Sequence, residues 1–466
     1  MSVDTGKTSS ASSVLNTCYN TGTRYGVLLV TEGAPDSLSL WHVWRFLEAQ
    51  YSNRRLVDFA PMWLWRPLLY AHVLPFRLLE VMESYRSTWV TPPTYTPRSV
   101  SSVLQERNTA ARSRQGSTTG VASAVQLTRL LGRRLELWMQ NRLQRSNSDV
   151  SVQIEVGFYH SDGSIASALE RLRLYGNYGD ESRDSAGEAI RTHTEHLIIL
   201  PLYPHYTSVR SAAVWDAVTQ CGYFQQQRSI PNVNFIRSYS HHSAYVEAWH
   251  RHIRRFIGEQ GKPDWLFVVF EAVPIRFTRF GDTCKQEYTR TLGKLRDMLS
   301  VPSPKANLSE CSAIDGGNYF SDVLDPSRVV GGYLGQGGEQ QMEPRIDKVL
   351  VKILKHLLHR AATSSQPTSA RYREISESLC DSTIDSKSLP SSDSSRINLP
   401  HTLMPRAYVV CPGVAVDDVN TLWTIEQRLC PHFQRIGWKE VRYIPALNDS
   451  SAHVEMLAAV ISSHMQ

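Results

Sequence analysis

Two ionisable side chains stand out because each lies just beyond a short apolar run that predicts a buried strand. Glu271 follows directly on the run 266–270, and His205 lies in the loop after the run 197–200. A carboxylate can accept a proton or act as a hard oxygen ligand for a metal. A neutral imidazole can accept a proton near neutral pH or bind a metal through a ring nitrogen. The structural alternatives are a helix cap or ion pair for Glu271 and a hydrogen-bonded histidine for His205.

Other patterns that could carry chemistry are incomplete. His241 and His242 are adjacent, so their side chains diverge on any regular element and cannot jointly hold a metal. The glycines complete neither a dinucleotide fingerprint nor a P-loop. The nearest two of the seven cysteines, Cys411 and Cys430, are 19 positions apart, which is too far for a zinc or iron–sulfur motif. No permanently bound cofactor is therefore predicted.

The elements that must position these residues alternate along the chain. Six apolar runs, each followed by helical periodicity, predict strands at 27–30, 154–156, 197–200, 266–270, 408–410 and 441–444. Parallel neighbours need crossover helices, so the pattern predicts an α/β protein with two doubly wound lobes of parallel sheets. Ligands of such sheets bind beyond the carboxyl ends of the strands. The candidate binding positions selected in this way are Tyr203, Pro204, Tyr206, Pro274, Pro412 and Gly413.

Length and composition fit more than one globular domain. The chain has 466 residues, 41% of them hydrophobic, and one domain usually takes about 100 to 200 residues. The net charge of +6 is spread along the chain, which does not predict nucleic-acid binding. No apolar run approaches the length of about 18 residues needed to span a bilayer.

The predicted organisation is two lobes with flexible additions. Residues 1–22 form a leader, 23–230 the first lobe and 231–466 the second lobe. Ser-, Thr-, Pro- or Gly-rich stretches bury too little apolar surface to offset their ordering entropy, and they are predicted to be flexible insertions. These stretches are 91–120, 302–340 and 363–400.

Segment 125–143 predicts an amphipathic helix with an arginine-rich face. That face could contact an acidic membrane surface, so a membrane is one candidate partner. The alternative, which the pattern favours, is a core helix with a solvated basic side.

Several blocks, in order, resemble the ferrochelatase family, the enzymes that insert ferrous iron into a porphyrin in haem synthesis. The resemblance covers residues 25–90, 121–299 and 404–460. Its blocks include LLVTEGAPD, RPLLYAHVLPFR, GFYHSDGSI, LPLYPHY, CPGVAVD and YIPALNDSSAHVE.

The resemblance implies two Rossmann-like lobes with a porphyrin in the cleft between them and a last helix that folds back toward the first lobe. It makes porphyrin or haem the expected partner and ferrous iron a substrate. It also suggests mitochondria as the compartment, although the amino terminus is a weak targeting signal and the cytoplasm is the alternative. The cysteine tail that holds an iron–sulfur cluster in some members is missing, so no such cluster is expected.

The chain departs from the family at the residues most closely tied to catalysis. The family histidine of FSFHGLP corresponds to Glu271, and the family glutamate nine residues after the cysteine of CPG corresponds to Asn420. Metallation must remove two protons from pyrrole nitrogens, and an amide cannot take a proton. The favoured hypothesis is a ferrochelatase-like protein that binds a porphyrin but inserts iron poorly. The alternative is an active ferrochelatase with Glu271, or His205, as base or metal ligand.

Overall fold

Two four-stranded parallel sheets form the frame of the protein. The computed structural model describes residues 23–58, 61–90, 121–146, 148–161, 163–174, 194–302, 323–335, 342–363 and 405–465. All strand pairs within these two sheets are parallel. The predicted two-lobed α/β architecture is confirmed.

The strands follow the apolar runs closely. The strands of the first sheet are β1 Arg24–Thr31, β4 Ser151–Phe158, β5 His196–Pro201 and β6 Asn232–Phe235. Those of the second are β7 Trp265–Glu271, β8 Val329–Leu334, β9 Arg406–Val410 and β10 Glu440–Ile444. The spatial order is β4-β1-β5-β6 in the first sheet and β10-β9-β7-β8 in the second. A short antiparallel pair, β2 Trp89–Val90 and β3 Val121–Ala122, lies outside both sheets. β1 is central, and residues 27–30 are fully buried because both faces of this sheet carry helices.

Helices cover both faces of each sheet. Those of the first lobe are Leu40–Tyr51, Met62–Leu68, Leu74–Thr88, Ser123–Arg145, Ser164–Leu174, Ser211–Gln220 and Tyr223–Gln226. Those of the second lobe are Ser243–Gln260, Ile275–Arg279, Cys284–Ser300, Ile346–Thr363, Cys430–Arg435 and Ser451–Ser462. Wider π-helical turns at Leu69–Val73 and Asn420–Leu429 run directly into the helices that follow them.

The predicted amphipathic segment is a core helix, Ser123–Arg145. Leu131 and Leu135 are fully buried against the first sheet. A Cβ added to Gly132 would lie 2.9 Å from Cγ2 of Val156, so only glycine lets the helix approach β4 this closely. The structure thus favours the core-helix alternative for this segment.

The prediction that residues 302–340 are a flexible insertion was partly wrong. Residues 302–340 include β8, which pairs along β7 and completes the second sheet. Its glycines predicted a loop, but a Cβ at Gly331 would lie 2.6 Å from Cδ2 of Leu292, so close helix–strand packing accounts for glycine there. The leader 1–22, the insertion 91–120 and all but residue 363 of the insertion 363–400 lie outside the described residues.

The last helix, Ser451–Ser462, connects the two lobes. It packs on Ser123–Arg145 of the first lobe and on Ser243–Gln260 of the second. Arg134 forms an ion pair of 2.9 Å with Asp449, just before this helix. One apolar core therefore includes strands from both sheets.

Large apolar side chains are exposed on the helices of residues 40–88. Trp41, Trp63 and Phe76 are 64%, 77% and 79% exposed. Within the described ranges, no helix combines the length and apolar character that a membrane crossing requires. Contact with a membrane surface stays a prediction.

Candidate active site

Loops from both lobes meet beyond the carboxyl ends of β5, β7 and β9. His205 follows β5, Phe270 and Glu271 end β7, and Gly413 follows β9. A Cβ at Gly413 would lie 3.7 Å from Cδ1 of Phe270 and 3.9 Å from Nδ1 of His205. Residues that are far apart in sequence therefore lie together at the carboxyl ends of these strands, where parallel sheets bind their ligands.

A buried arginine links the two lobes at this point. Arg210 directly precedes the helix Ser211–Gln220, and its Nε and Nη2 donate to Oε2 and Oε1 of Glu271 at 2.9 and 2.7 Å. Its Nη1 donates to Oε2 of Glu32, which follows β1. The guanidinium carbon lies 5.2 Å from the centre of the Tyr203 ring. Arg210 is thus held by two carboxylates and an aromatic face, and all its nitrogens have partners.

Burial and charge compete at this cluster. The side chains of Arg210, Glu32 and Glu271 are 12%, 18% and 39% exposed. Burial opposes the charge of Arg210, but the carboxylates of Glu271 and Glu32 outweigh it and raise the pKa of Arg210 well above its usual value. Burial raises the pKa of Glu32, an effect that Arg210 opposes and Glu271 reinforces. The guanidinium is a permanent charge, whereas Glu32 holds its proton to a higher pH than a solvated glutamate.

Asp418 and His160 complete the electrostatic surroundings. Burial raises the pKa of Asp418 from 3.8 to about 6, against the opposing charge of Arg210. Burial and, to a lesser extent, Arg210 lower the pKa of His160 to about 3. His160 is therefore neutral at physiological pH, while Asp418 titrates just below it.

The raised pKa of Asp418 predicts a pH-dependent gain of stability in Asp418→Asn. Because the folded state binds this proton more tightly than the unfolded chain, the folded protein loses stability as pH rises from about 4 through 6. The variant does not undergo this pH-dependent loss of stability. Its side-chain oxygen can still accept the hydrogen bond that the Thr421 backbone N–H donates to Oδ1 of Asp418 at 2.9 Å. Urea unfolding should show the variant more stable by on the order of 1 to 3 kcal/mol at pH 7.5. The two proteins should be equal near pH 4, and a constant difference across this range would contradict the assignment.

His205 lies in an aromatic enclosure. Its side chain is 2% exposed, its Nε2 pairs with Oγ1 of Thr291 at 2.8 Å, and the rings of Tyr245, Phe270 and Tyr288 stand edge-on around it. Burial lowers its pKa to about 3. Such a histidine stays neutral and packed, which favours the structural alternative over a role as base or metal ligand.

Asn420 is the first residue of the π-helical stretch Asn420–Leu429 and lies three residues after Asp417. Asp417 instead accepts hydrogen bonds from four groups: the Tyr443 hydroxyl at 2.7 Å, the Asn448 amide at 2.8 Å, the Thr421 hydroxyl at 3.0 Å and the Ala446 backbone at 3.2 Å. Within the part of the chain that the structure describes, Asn420 makes no hydrogen bond to the Arg210 cluster. The acidic residue nearest to Asn420 in the sequence is Asp418.

The predicted binding positions line the loops around the cluster. The Tyr203 hydroxyl accepts the backbone N–H of Glu32 at 2.9 Å, which fixes it against the first lobe. The Tyr206 ring lies 3.9 Å from the guanidinium carbon of Arg237. The carbonyl oxygens of Pro204 and Pro412 accept hydrogen bonds, and Pro274 caps the helix Ile275–Arg279. These contacts stiffen the loops that surround Glu271.

Sequence reasoning did not find three members of the cluster: Arg210, Glu32 and Asp418. The available signal was an arginine beside the small residues 211–213, in the segment that follows β5. Among the described residues, no three His, Cys, Asp or Glu side chains converge as a metal site. The geometry defines a charged inter-lobe site without a preformed set of metal ligands.

A two-lobed α/β protein with parallel sheets and an inter-lobe site is the class that fold and site define. The ferrochelatase family model matches residues 97–316 and 389–465, more than half of the chain. The chain therefore belongs to the ferrochelatase family.

The similarity to individual family members is low but extends over nearly the whole chain. The chain is 27% identical over 438 residues to a ferrochelatase of Proteus mirabilis, with 94% of this chain and 97% of that protein covered. It is 26% identical over 442 residues to a ferrochelatase of Yersinia enterocolitica, with 95% and 98% covered. It is a divergent member, and its family supports a function related to haem biosynthesis.

Proposed function

We propose that this protein binds a porphyrin in the cleft between the lobes and inserts ferrous iron into it poorly. The observation that carries the proposal is the pair of hydrogen bonds from Arg210 to both oxygens of Glu271. The resemblance assigns Glu271 to the position of the family histidine. The expected base is therefore replaced by one half of an ion pair.

Metal insertion needs a group that takes two protons from the macrocycle. To act as that group, Glu271 would have to give up two charge-assisted hydrogen bonds, which are about twice as strong as neutral ones. His205 is enclosed and already bonded to Thr291, and Asn420 cannot accept a proton. Loss of a general base typically slows a reaction by about 100- to 10,000-fold.

The alternative function, an active ferrochelatase with Glu271 or His205 as base, is supported by one observation. Asp418 has a pKa of about 6, which suits proton exchange near neutral pH, and it lies within the field of Glu271, Glu32 and Arg210. A rearranged relay through Asp418 would carry away the macrocycle protons that Glu271 does not take directly. Turnover therefore has to be measured separately from binding.

Porphyrin binding is the first expected result. Tyr203 and Tyr206 lie on the loop that follows β5, at the carboxyl end of the strand, where parallel sheets bind their ligands. Protoporphyrin fluorescence should be quenched at micromolar protein in wild type. Arg171→Ser, which removes an exposed ion pair with Glu155 on the first lobe, is the matched control and should bind equally. No quenching in wild type would remove the proposal.

Turnover is measured on the same samples. Wild-type protein is incubated anaerobically with ferrous iron and protoporphyrin while the free-base spectrum is followed. We expect a rate about 100- to 10,000-fold below that of a bacterial ferrochelatase assayed in parallel. A rate equal to that of the bacterial enzyme would establish the alternative function.

A further inference from the structure

The guanidinium of Arg210 has carboxylate neighbours of the kind that a bound metal cation has. Carboxylate oxygens of Glu271 and Glu32 approach it from two different lobes, and the charge of Asp418 acts on the same space. We propose that the guanidinium of Arg210 occupies the place in the cleft where a divalent cation would bind, and so keeps ferrous iron away from these carboxylates. The inference deepens the proposed function, on which it rests, by naming the residue that excludes the metal.

The contacts match those that a hard divalent cation makes. Mg²⁺ commonly binds through one or two carboxylates with water in its other positions, and Mn²⁺ also suits carboxylate and water ligands. Glu32 and Glu271 each direct an oxygen at one guanidinium, so both face a shared space. Removing that group would leave two carboxylates from different lobes facing one vacated volume.

The charges lead to the same conclusion. Two carboxylates, those of Glu32 and Glu271, contact the single positive charge of Arg210. Taking Arg210 away would leave charged groups in a partly buried place, where an unbalanced charge is costly. A divalent cation would restore the balance of charge. In the wild type the guanidinium is part of the chain and always charged, so a cation cannot displace it.

The test is manganese binding by Arg210→Ser, measured without porphyrin. The electron paramagnetic resonance signal of free Mn²⁺ is lost when the ion binds, so the concentration of free ion is measured directly at pH 7. We expect the variant to bind one Mn²⁺ at least about 10-fold more tightly than wild type, which corresponds to about 1.4 kcal/mol. The double variant Arg210→Ser, Glu271→Gln should lose this gain, and Arg171→Ser should bind as wild type does.

Two further measurements keep the inference open to refutation if Arg210→Ser is unstable. Its melting temperature should rise on addition of Mn²⁺, whereas those of wild type and of the charge-preserving variant Arg210→Lys should not. A variant that needs Mn²⁺ to fold would also support the inference. A variant that folds but binds no more Mn²⁺ than wild type, or that stays unfolded with Mn²⁺ present, would overturn it. Neither result depends on porphyrin, so the proposed function can fail separately through binding or turnover.

Discussion

Replacing Glu271 by histidine and Asn420 by glutamate is expected to raise the rate of iron insertion by on the order of 10- to 100-fold over wild type. An imidazole at position 271 would be a neutral base close to physiological pH, and it could not accept the paired hydrogen bonds that Arg210 gives to a carboxylate. A carboxylate at position 420 would supply a second acceptor for the proton. The expected gain is smaller than the full contribution of a general base because Arg210 and Glu32 stay in the cleft.

The gain should depend on the new groups themselves and not on the loss of charge at position 271. Glu271→Gln removes the same carboxylate without supplying a base, so it is the matched control and should show no increase. Each single replacement should give less than the double variant, since both groups act on one proton path. If the double variant folds and quenches porphyrin fluorescence as wild type does, yet its rate is unchanged, proton removal is not the step that limits turnover.

Much of the fold follows from local apolar runs. The residues 27–30 and 266–270 are long enough and apolar enough to be recognised as strands buried on both faces, whatever surrounds them. β6 and β8 were not recognised for physical reasons. β6 is polar and mostly exposed at the edge of its sheet. β8 carries two glycines, Gly331 and Gly332, against which Leu292 and Ile346 pack closely.

The site was harder to predict than the fold because it depends on contacts across the cleft. Glu271 was identified from its place at a strand end, which is a local property. Its partner Arg210 lies 61 positions away on the other lobe, and Glu32 lies a further 178 positions from Arg210. No periodicity or spacing in the sequence indicates that these three side chains meet, and only the packing of the two lobes determines it.

The Asp417→Ala substitution is expected to lower the free energy of unfolding by about 3 to 5 kcal/mol. Asp417 is 2% exposed, and its carboxylate accepts hydrogen bonds from Tyr443, Asn448, Thr421 and the Ala446 backbone. Alanine would leave the donors of Tyr443, Asn448 and Ala446 without this acceptor, and each unsatisfied buried group costs about 1 to 3 kcal/mol. The Thr421 hydroxyl keeps the Asp418 carbonyl at 3.1 Å. Urea unfolding measures the difference directly.

The size of the stability loss in Asp417→Ala shows whether the whole hydrogen-bond network of Asp417 or a single hydrogen bond stabilises this region. Tyr443→Phe removes one donor and its hydroxyl together, so no donor is left unpaired and the expected loss is only about 1 to 2 kcal/mol. If Asp417→Ala lost no more than Tyr443→Phe, the other three hydrogen bonds would contribute little. If it lost more, as we expect, the carboxylate is what joins the end of β9 to that of β10. Asp418 lies next to this anchor, so a loosened loop should also weaken porphyrin binding, whereas Tyr443→Phe should leave binding unchanged.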